Sequence, residues 1–524
     1  MSHVCVHAGA VHGVEALPVE VEVNAADSGE MGIRLVGLPD AAVRESTDRV
    51  VTAIKNSGLR WPNKPITINL APADLRKEGP AFDLAIAIGM VALESANGEL
   101  KDNALDSCAI IGELALDGRV RPVKGILPLT LEAKAKGFRA IFVPRDNAVE
   151  ASIVEGIYVY GVDSLATTFK LLCGEGNVRP EKLDRETFFA AQRHYEIDFQ
   201  DVKGQIHAKR ALEVAMAGNH NALMLGSPGT GKSMLSKRLP TILPTMTEAE
   251  AIETTKIHSV AGLIDTKNSF LATRPFRAPH HTISDAGLLG GSSNPSPGEV
   301  SLAHNGILFL DELPEFRRST LEVLRQPLED GHVTISRAAG KFTFPSKFSM
   351  IAAMNPCPCG YLGDPARECR CNPNQIEKYR QRISGPLLDR IDLHVDVPAV
   401  NYKELRQSDG GDSSDSIRQR VEEARRIQLQ RFVSSPGINA NADMTSSMVA
   451  RFCPLDKKSE ATLEQAMDSL NFSARAYDRI LKVSRTLADL EGELDIKEIH
   501  VMEAIQYRTL DRNLWITMAT VVAQ

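Results

Sequence analysis

Along the first third of the chain the apolar positions switch period repeatedly. Alternation with period two, or short β-branched runs, marks 19–23 (VEVEV), 66–72 (ITINLAP), 140–144 (AIFVP) and 157–162 (IYVYGV) as strands. Between them, 39–58 carries apolar residues at three-to-four spacing, with Asp40 placed to cap a helix and Gly58 to end it; 129–138 reads as a second helix. Residues 1–175 are therefore expected to form a mixed α/β domain. Residues 176–197 are polar without a core pattern and read as a linker. From 198 to 400, apolar runs of strand length alternate with helical stretches, the pattern of a parallel sheet covered by helices. A second polar break at 401–416, containing RQSDGGDSSDS, reads as a flexible connection. From 417 to 524 apolar residues return every three to four positions, which predicts a helical domain. No 20–50-residue repeat interrupts this order.

Composition changes the picture only by exclusion. The 524 residues are 43% hydrophobic and 24% charged, ordinary for a globular protein and enough for two or three domains with their own cores. The most apolar run, 82–93, is too short to span a bilayer and carries Asp83, and 1–23 lacks the basic start and apolar centre of a signal peptide. A cytoplasmic protein without a membrane partner is expected. The net charge of −7 gives no general attraction to nucleic acid, so any such surface must be local.

Candidate chemistry starts at 226–233, GSPGTGKS, directly after the strand-like ALML and before the helical MLSKRL. The residues Gly226, Ser227, Pro228, Gly229, Thr230 and Gly231 let successive backbone N–H groups turn inward around a phosphate chain. Lys232 then reaches the β- and γ-phosphates and Ser233 ligates Mg²⁺, so ATP and Mg²⁺ are the expected cofactors. The second half is GILFLDEL, 306–313: a buried strand ending in Asp311, to hold Mg²⁺, and Glu312, to polarise the attacking water. A third apolar run, 348–354, ends in Asn355.

Three further features stand outside this pattern. The stretch 274–306 is too long and glycine-rich for an ordinary connection, and loops of that size usually carry function. Residues 331–345 read as two short strands around SRAAGK, a hairpin presenting Arg337 and Lys341. Those two are candidate contacts to a DNA phosphate backbone, a solvated turn with ordinary surface charge being the alternative. Of the eight cysteines, Cys5, Cys108, Cys173 and Cys453 are scattered, whereas Cys357, Cys359, Cys369 and Cys371 form Cys-x-Cys, nine residues, Cys-x-Cys. Four thiolates this close can close a tetrahedral Zn²⁺ site; reduced buried thiols are the alternative.

The order of the P-loop, the acidic pair, MNPCPCG, LLDRIDLHVDVP and SARAYDRILKVSRTLADL resembles the YifB/ComM family of magnesium-chelatase-like AAA+ ATPases of bacteria. VGLPDAAVRES, NLAPADLRKEGPAFDLAIAIG and RPVKGILP in the first domain fit the same family. The resemblance implies a multidomain α/β chain: a Lon-protease-like N-terminal domain, a AAA+ core with a helix-2 insert at 274–306 and a pre-sensor-1 hairpin, and a helical C-terminal lid. It assigns Asn355 to sensor 1, Arg390 to the arginine finger that reaches a neighbouring subunit, and Arg475 to sensor 2. An intrachain pair of Arg390 with Asp389 or Asp392 is the alternative for the finger. It also implies a homohexameric helicase that moves single-stranded and branched DNA during homologous recombination in natural transformation, beside recombinase machinery. A chelatase-type motor subunit and an ATP-dependent protein remodeller are the other readings.

Within that resemblance KEGPAFD matters most. A Lon-type protease places its nucleophilic serine after the Gly-Pro, and here the residue is Ala81. The partner lysine position falls on Leu127 or Pro128, with Lys124 nearby but displaced. No amine can activate an absent hydroxyl, so no peptidase activity is expected. The domain reads instead as a ring-forming or DNA-facing platform, as in the RadA recombination proteins.

Overall fold

Two strands that alternate inward valines with outward polar residues open the chain and pair over their full length. His3–His12 and Glu15–Ala25 run antiparallel from His3 opposite Asn24 to His12 opposite Glu15, with Val4, Val6, Val19, Val21 and Val23 buried. The computed structural model describes residues 3–28, 31–60, 62–74, 77–95, 100–101, 103–183, 195–264, 269–291, 295–337, 340–364, 366–400, 411–435, 437–470 and 472–508. These fall into two units. One comprises Met1–Gln192 with Glu248–Ala272 and Ser336–Phe344; the other comprises Arg193–Thr247, Thr273–Ile335 and Pro345–Gln524.

The opening pair lies inside a seven-stranded mixed sheet of the first unit. Its order is Ile33–Val36, Ile66–Ala71, Glu15–Ala25, His3–His12, Cys108–Ile110, Ala140–Pro144, Tyr158–Val162. The helix expected at 39–58 spans Ala41–Asn56, with the Asp40 carboxylate accepting from Val43 N at 2.8 Å. The second expected helix starts earlier than read, at Ile126, and ends at Ala135. The very apolar run forms the helix Asp83–Glu94, buried from Asp83 to Leu93 against both opening strands. Its charge is neutralised in place. Asp83 accepts from Arg49 Nε at 2.7 Å, Arg49 Nη2 at 3.2 Å and Leu114 N at 3.2 Å. Burial pushes this carboxyl up, and Arg49 opposes the shift. Removing the arginine would strand a buried charge at a cost of about 3–5 kcal/mol.

Ala81 sits in the single 3₁₀ turn Pro80–Phe82, its carbonyl accepting from Gly112 N at 2.9 Å. Leu127 and Pro128 are buried in the helix Ile126–Ala135, and the Lys124 stem packs over Gly262. Two later segments complete the first unit. The helix Glu248–Ala261 packs on Ile126–Ala135: Gly125 N donates to Ser259 O at 3.1 Å, Ser259 Oγ donates to the buried Glu150 carboxylate, and Lys256 pairs with Glu15 at 2.7 Å. The other segment is the end of the hairpin His332–Arg337/Gly340–Pro345, where Phe342 stacks on His12 with ring centroids 4.7 Å apart.

The second unit is built on a five-stranded, all-parallel sheet. Its order is Phe276–Arg277, Ile307–Leu310, Ser349–Met354, Ala222–Leu225, Leu393–Asp396. The long insert read at 274–306 thus contributes the edge strand and two short helices, Asp285–Leu289 and Glu299–Leu302. The C-terminal part is helical: Ser414–Arg431, Ser446–Phe452, Lys457–Leu470, Ala474–Leu490 and Glu498–Gln506. Ser413 caps the first of these from inside the stretch read as a connection, of which 401–410 lies outside the described residues. One apolar core joins the sheet, the helix Ile206–Gly218 and the C-terminal helices.

Candidate active site

Strand order in the second unit decides what converges. The strand Ser349–Met354 lies between the P-loop strand Ala222–Leu225 and the acidic strand Ile307–Leu310. Registers Leu225 to Met354 and Leu310 to Ala352 bring the three carboxyl ends to one edge, where open parallel sheets bind ligands. Lys232, Ser233, Asp311, Glu312 and Asn355 therefore meet although more than a hundred residues separate the first from the last.

The loop is shaped by its glycines. Gly229 (φ +82°) and Gly231 (φ +95°) occupy the left-handed region, and a Cβ on either would meet open space. Gly226 is required for room instead, since a Cβ there would lie 2.3 Å from Val397 O. Lys232 Nζ donates to Gly226 O at 2.6 Å, Ser227 O at 2.9 Å and Asn355 Oδ1 at 3.2 Å. Burial lowers its ammonium pKa, with Asp311 opposing. A buried cation resting on carbonyl oxygens beside an open loop fits a phosphate chain, which offers better acceptors. Ser233 Oγ donates to Asp311 Oδ2 at 2.7 Å, so a hydroxyl and a carboxylate already share one point, the donor pair that would hold Mg²⁺. Bound there, the ion would neutralise phosphate charge.

Glu312 (φ +52°) directs its exposed carboxylate toward the insert, where Oε2 lies 3.4 Å from His281 Nδ1. His281 in turn stacks on His280, ring centroids 4.1 Å apart, and meets the edge of Phe316. Sequence reasoning missed His281. Two adjacent histidines in the insert were its only signal, and only the fold carries one of them to Glu312.

The two arginines lie elsewhere. Arg390, 6% exposed, donates through Nη1 to Pro386 O at 2.5 Å and through Nη2 to the Glu329 carboxylate. Its partner is thus Glu329, not the flanking aspartates. Arg475 is largely exposed, 3.8 Å from Asp389. Both line a cavity of about 530 Å³ with Arg479, Lys482 and Asp392, and no residue of 226–233 lines it. Arg337 and Lys341 are exposed on the hairpin; 338–339 at its tip lie outside the described residues. Cys357, Cys359, Cys369 and Cys371 converge directly beyond Asn355.

Comparison with known proteins settles the family. Three family models match in sequence along the chain: Subunit ChlI of Mg-chelatase over residues 19–147, Magnesium chelatase, subunit ChlI, over 198–405, and Magnesium chelatase, subunit ChlI C-terminal, over 411–508. Competence protein ComM of Haemophilus influenzae is 44% identical over 519 residues, covering 98% of this chain and 99% of that protein. The chain belongs to the magnesium-chelatase-like ComM/YifB family. YifB of Escherichia coli, an uncharacterised protein, is 42% identical over 98% of both chains. Lon protease 2 of Bacillus subtilis is 28% identical over 179 residues, 31% of this chain and 30% of the protease. Membership places the chain among AAA+-like proteins and implies ATPase chemistry with ATP and Mg²⁺. Among the described residues, no helix is long and apolar enough to cross a membrane.

Proposed function

We propose that this chain is an ATP-hydrolysing motor of cytoplasmic homohexamers that moves branched DNA during homologous recombination, as in the uptake of DNA by competent cells. The observation that carries the ATPase half is the convergence of Lys232, Ser233, Asp311, Glu312 and Asn355 at one sheet edge. Lys232 draws the γ-phosphate, Ser233 and Asp311 fix the metal, and Asn355 and Glu312 orient the water; phosphoryl transfer needs little beyond such positioning and charge neutralisation. The DNA half is supported by near full-length likeness to a competence protein. It is also supported by the hairpin, where Arg337 and Lys341 are exposed while Phe342, next to Lys341, packs against His12. In a chain of net charge −7, such a local pair of exposed cations is a place where phosphates would pass. Ala81 and Leu127 leave the first unit as that hairpin's support rather than a protease.

The test is phosphate release with and without a four-way DNA junction, together with junction migration, at several salt concentrations. Stimulation by the junction is expected for the parent. Arg337→Ala with Lys341→Ala should abolish migration, keep basal hydrolysis, and flatten the salt dependence of binding by about two units of slope. A parent indifferent to the junction would sink the DNA reading; a double variant that migrates junctions normally would clear the hairpin of that role.

A further inference from the structure

The cysteine cluster lies against the P-loop, and its sulfurs have the spacing of a single-metal site. Cys357 Sγ is 3.4 Å from Cys359 Sγ and 3.6 Å from Cys369 Sγ, Cys359 Sγ is 3.6 Å from Cys369 Sγ, and all four sulfurs lie within 4.8 Å of one another. A tetrahedron with Zn–S bonds of about 2.3 Å has edges of about 3.8 Å, so a small inward or outward adjustment would seat one ion. An iron–sulfur cluster would divide the thiolates among two or more irons and spread them farther apart. Disulfide bonding would pair sulfurs at about 2 Å and leave no reason for four to converge.

Cys359 N donates to Cys371 Sγ at 3.4 Å. Each half of the cluster is fixed from behind. Cys357 is fully buried directly after the strand that carries Asn355. Cys371 precedes the helix Pro373–Arg380, whose start is locked by the reciprocal Asn372–Gln375 bonds of 2.8 and 3.0 Å.

The loop between the two cysteine pairs reaches the nucleotide cradle. A Cβ on Gly360 would lie 2.5 Å from Pro228 Cδ, so this backbone is in direct contact with the P-loop. Farther along, the Asp364 carboxylate faces the Ser227 side chain. The same loop therefore packs against 226–233 at Pro228 and is continuous with Asn355 at its other end.

We propose that Cys357, Cys359, Cys369 and Cys371 bind one structural zinc ion whose loop clamps the P-loop through Gly360 and Asp364, so that metal occupancy sets nucleotide affinity. With all four positions filled by thiolate, the ion has no open site for catalysis; its work is to hold Asn355 and Ser227 at a fixed separation. The clamp rests on the reading of 226–233 as the nucleotide cradle, whereas zinc content does not.

The experiment is elemental analysis of the full chain purified without chelators, followed by equilibrium binding of a fluorescent ATP analogue. One zinc per chain is expected, lost in Cys357→Ser with Cys359→Ser, and ATP affinity should fall about tenfold with it. Because that variant removes packing as well as metal, Asp364→Ala serves as the second arm. It should keep its zinc yet weaken ATP binding by several-fold. No zinc, or iron in its place, overturns the metal assignment. Zinc present with unchanged ATP affinity in Asp364→Ala overturns the clamp and leaves the metal site standing. Failure of the parent to bind ATP at all would instead refute the cradle reading.

Discussion

Glu312→Gln is expected to cut ATP turnover by about 10³-fold, near 4 kcal/mol of barrier, while leaving ATP affinity unchanged. The cradle explains the split. In the proposed reading Lys232, Ser233 and the loop N–H groups would contact phosphate and metal and Glu312 would touch neither; its carboxylate lies 3.4 Å from His281. Glutamine keeps the length of the side chain and the backbone bond from Glu312 N to Asp311 Oδ1 of 3.0 Å, but it cannot take up a proton from the attacking water. Lys232→Ala should behave differently, losing affinity and turnover together, because its ammonium serves ground state and transition state alike. Equilibrium ATP binding beside steady-state phosphate release separates the two outcomes. Parental turnover in Glu312→Gln would transfer the role to another carboxylate.

What the sequence disclosed follows from how local each signal is. The P-loop, the acidic pair and Asn355 each follow an apolar strand, so their place at one sheet edge was readable from neighbouring residues. The hairpin was readable for the same reason. The helix Glu248–Ala261 was not, because its buried face is made of Ala251, Thr254, Thr255 and Ser259 beside Ile257 and His258. Such a stripe lacks the apolar contrast that marks a helix, and its partner, the Glu150 carboxylate, lies 109 residues away. His3–His12 escaped notice because its inward positions include Ala8 and Ala10, which carry little strand signal. The Asp83–Arg49 pair is a third case. A carboxylate in an apolar run reads as an interruption until the fold supplies its cation. Contacts at long sequence separation, and buried faces of small polar residues, are where pattern reading ends.

Arg390→Ala should remove at least 10³-fold of ATP turnover and leave ATP binding intact, with activity partly recovered on mixing with Lys232→Ala chains. The argument is one of position. Inside one chain the Arg390 guanidinium is held by Pro386 O and Glu329, in a cavity that no residue of the P-loop lines. If it serves hydrolysis, it must do so for the nucleotide of another copy, exchanging the Glu329 carboxylate for a phosphate of like charge. Arg475, Arg479 and Lys482 line the same cavity and would share that load. In a head-to-tail ring each interface joins one chain's P-loop to its neighbour's finger. Random mixing of equal amounts therefore rebuilds roughly a quarter of the interfaces from an intact P-loop and an intact Arg390. Neither variant alone can make one. The measurement is phosphate release against mixing ratio at fixed total protein, with a maximum expected near equal proportions. A flat, inactive profile would place Arg390 in the service of its own chain, and normal hydrolysis by Arg390→Ala alone would assign the finger to a different arginine.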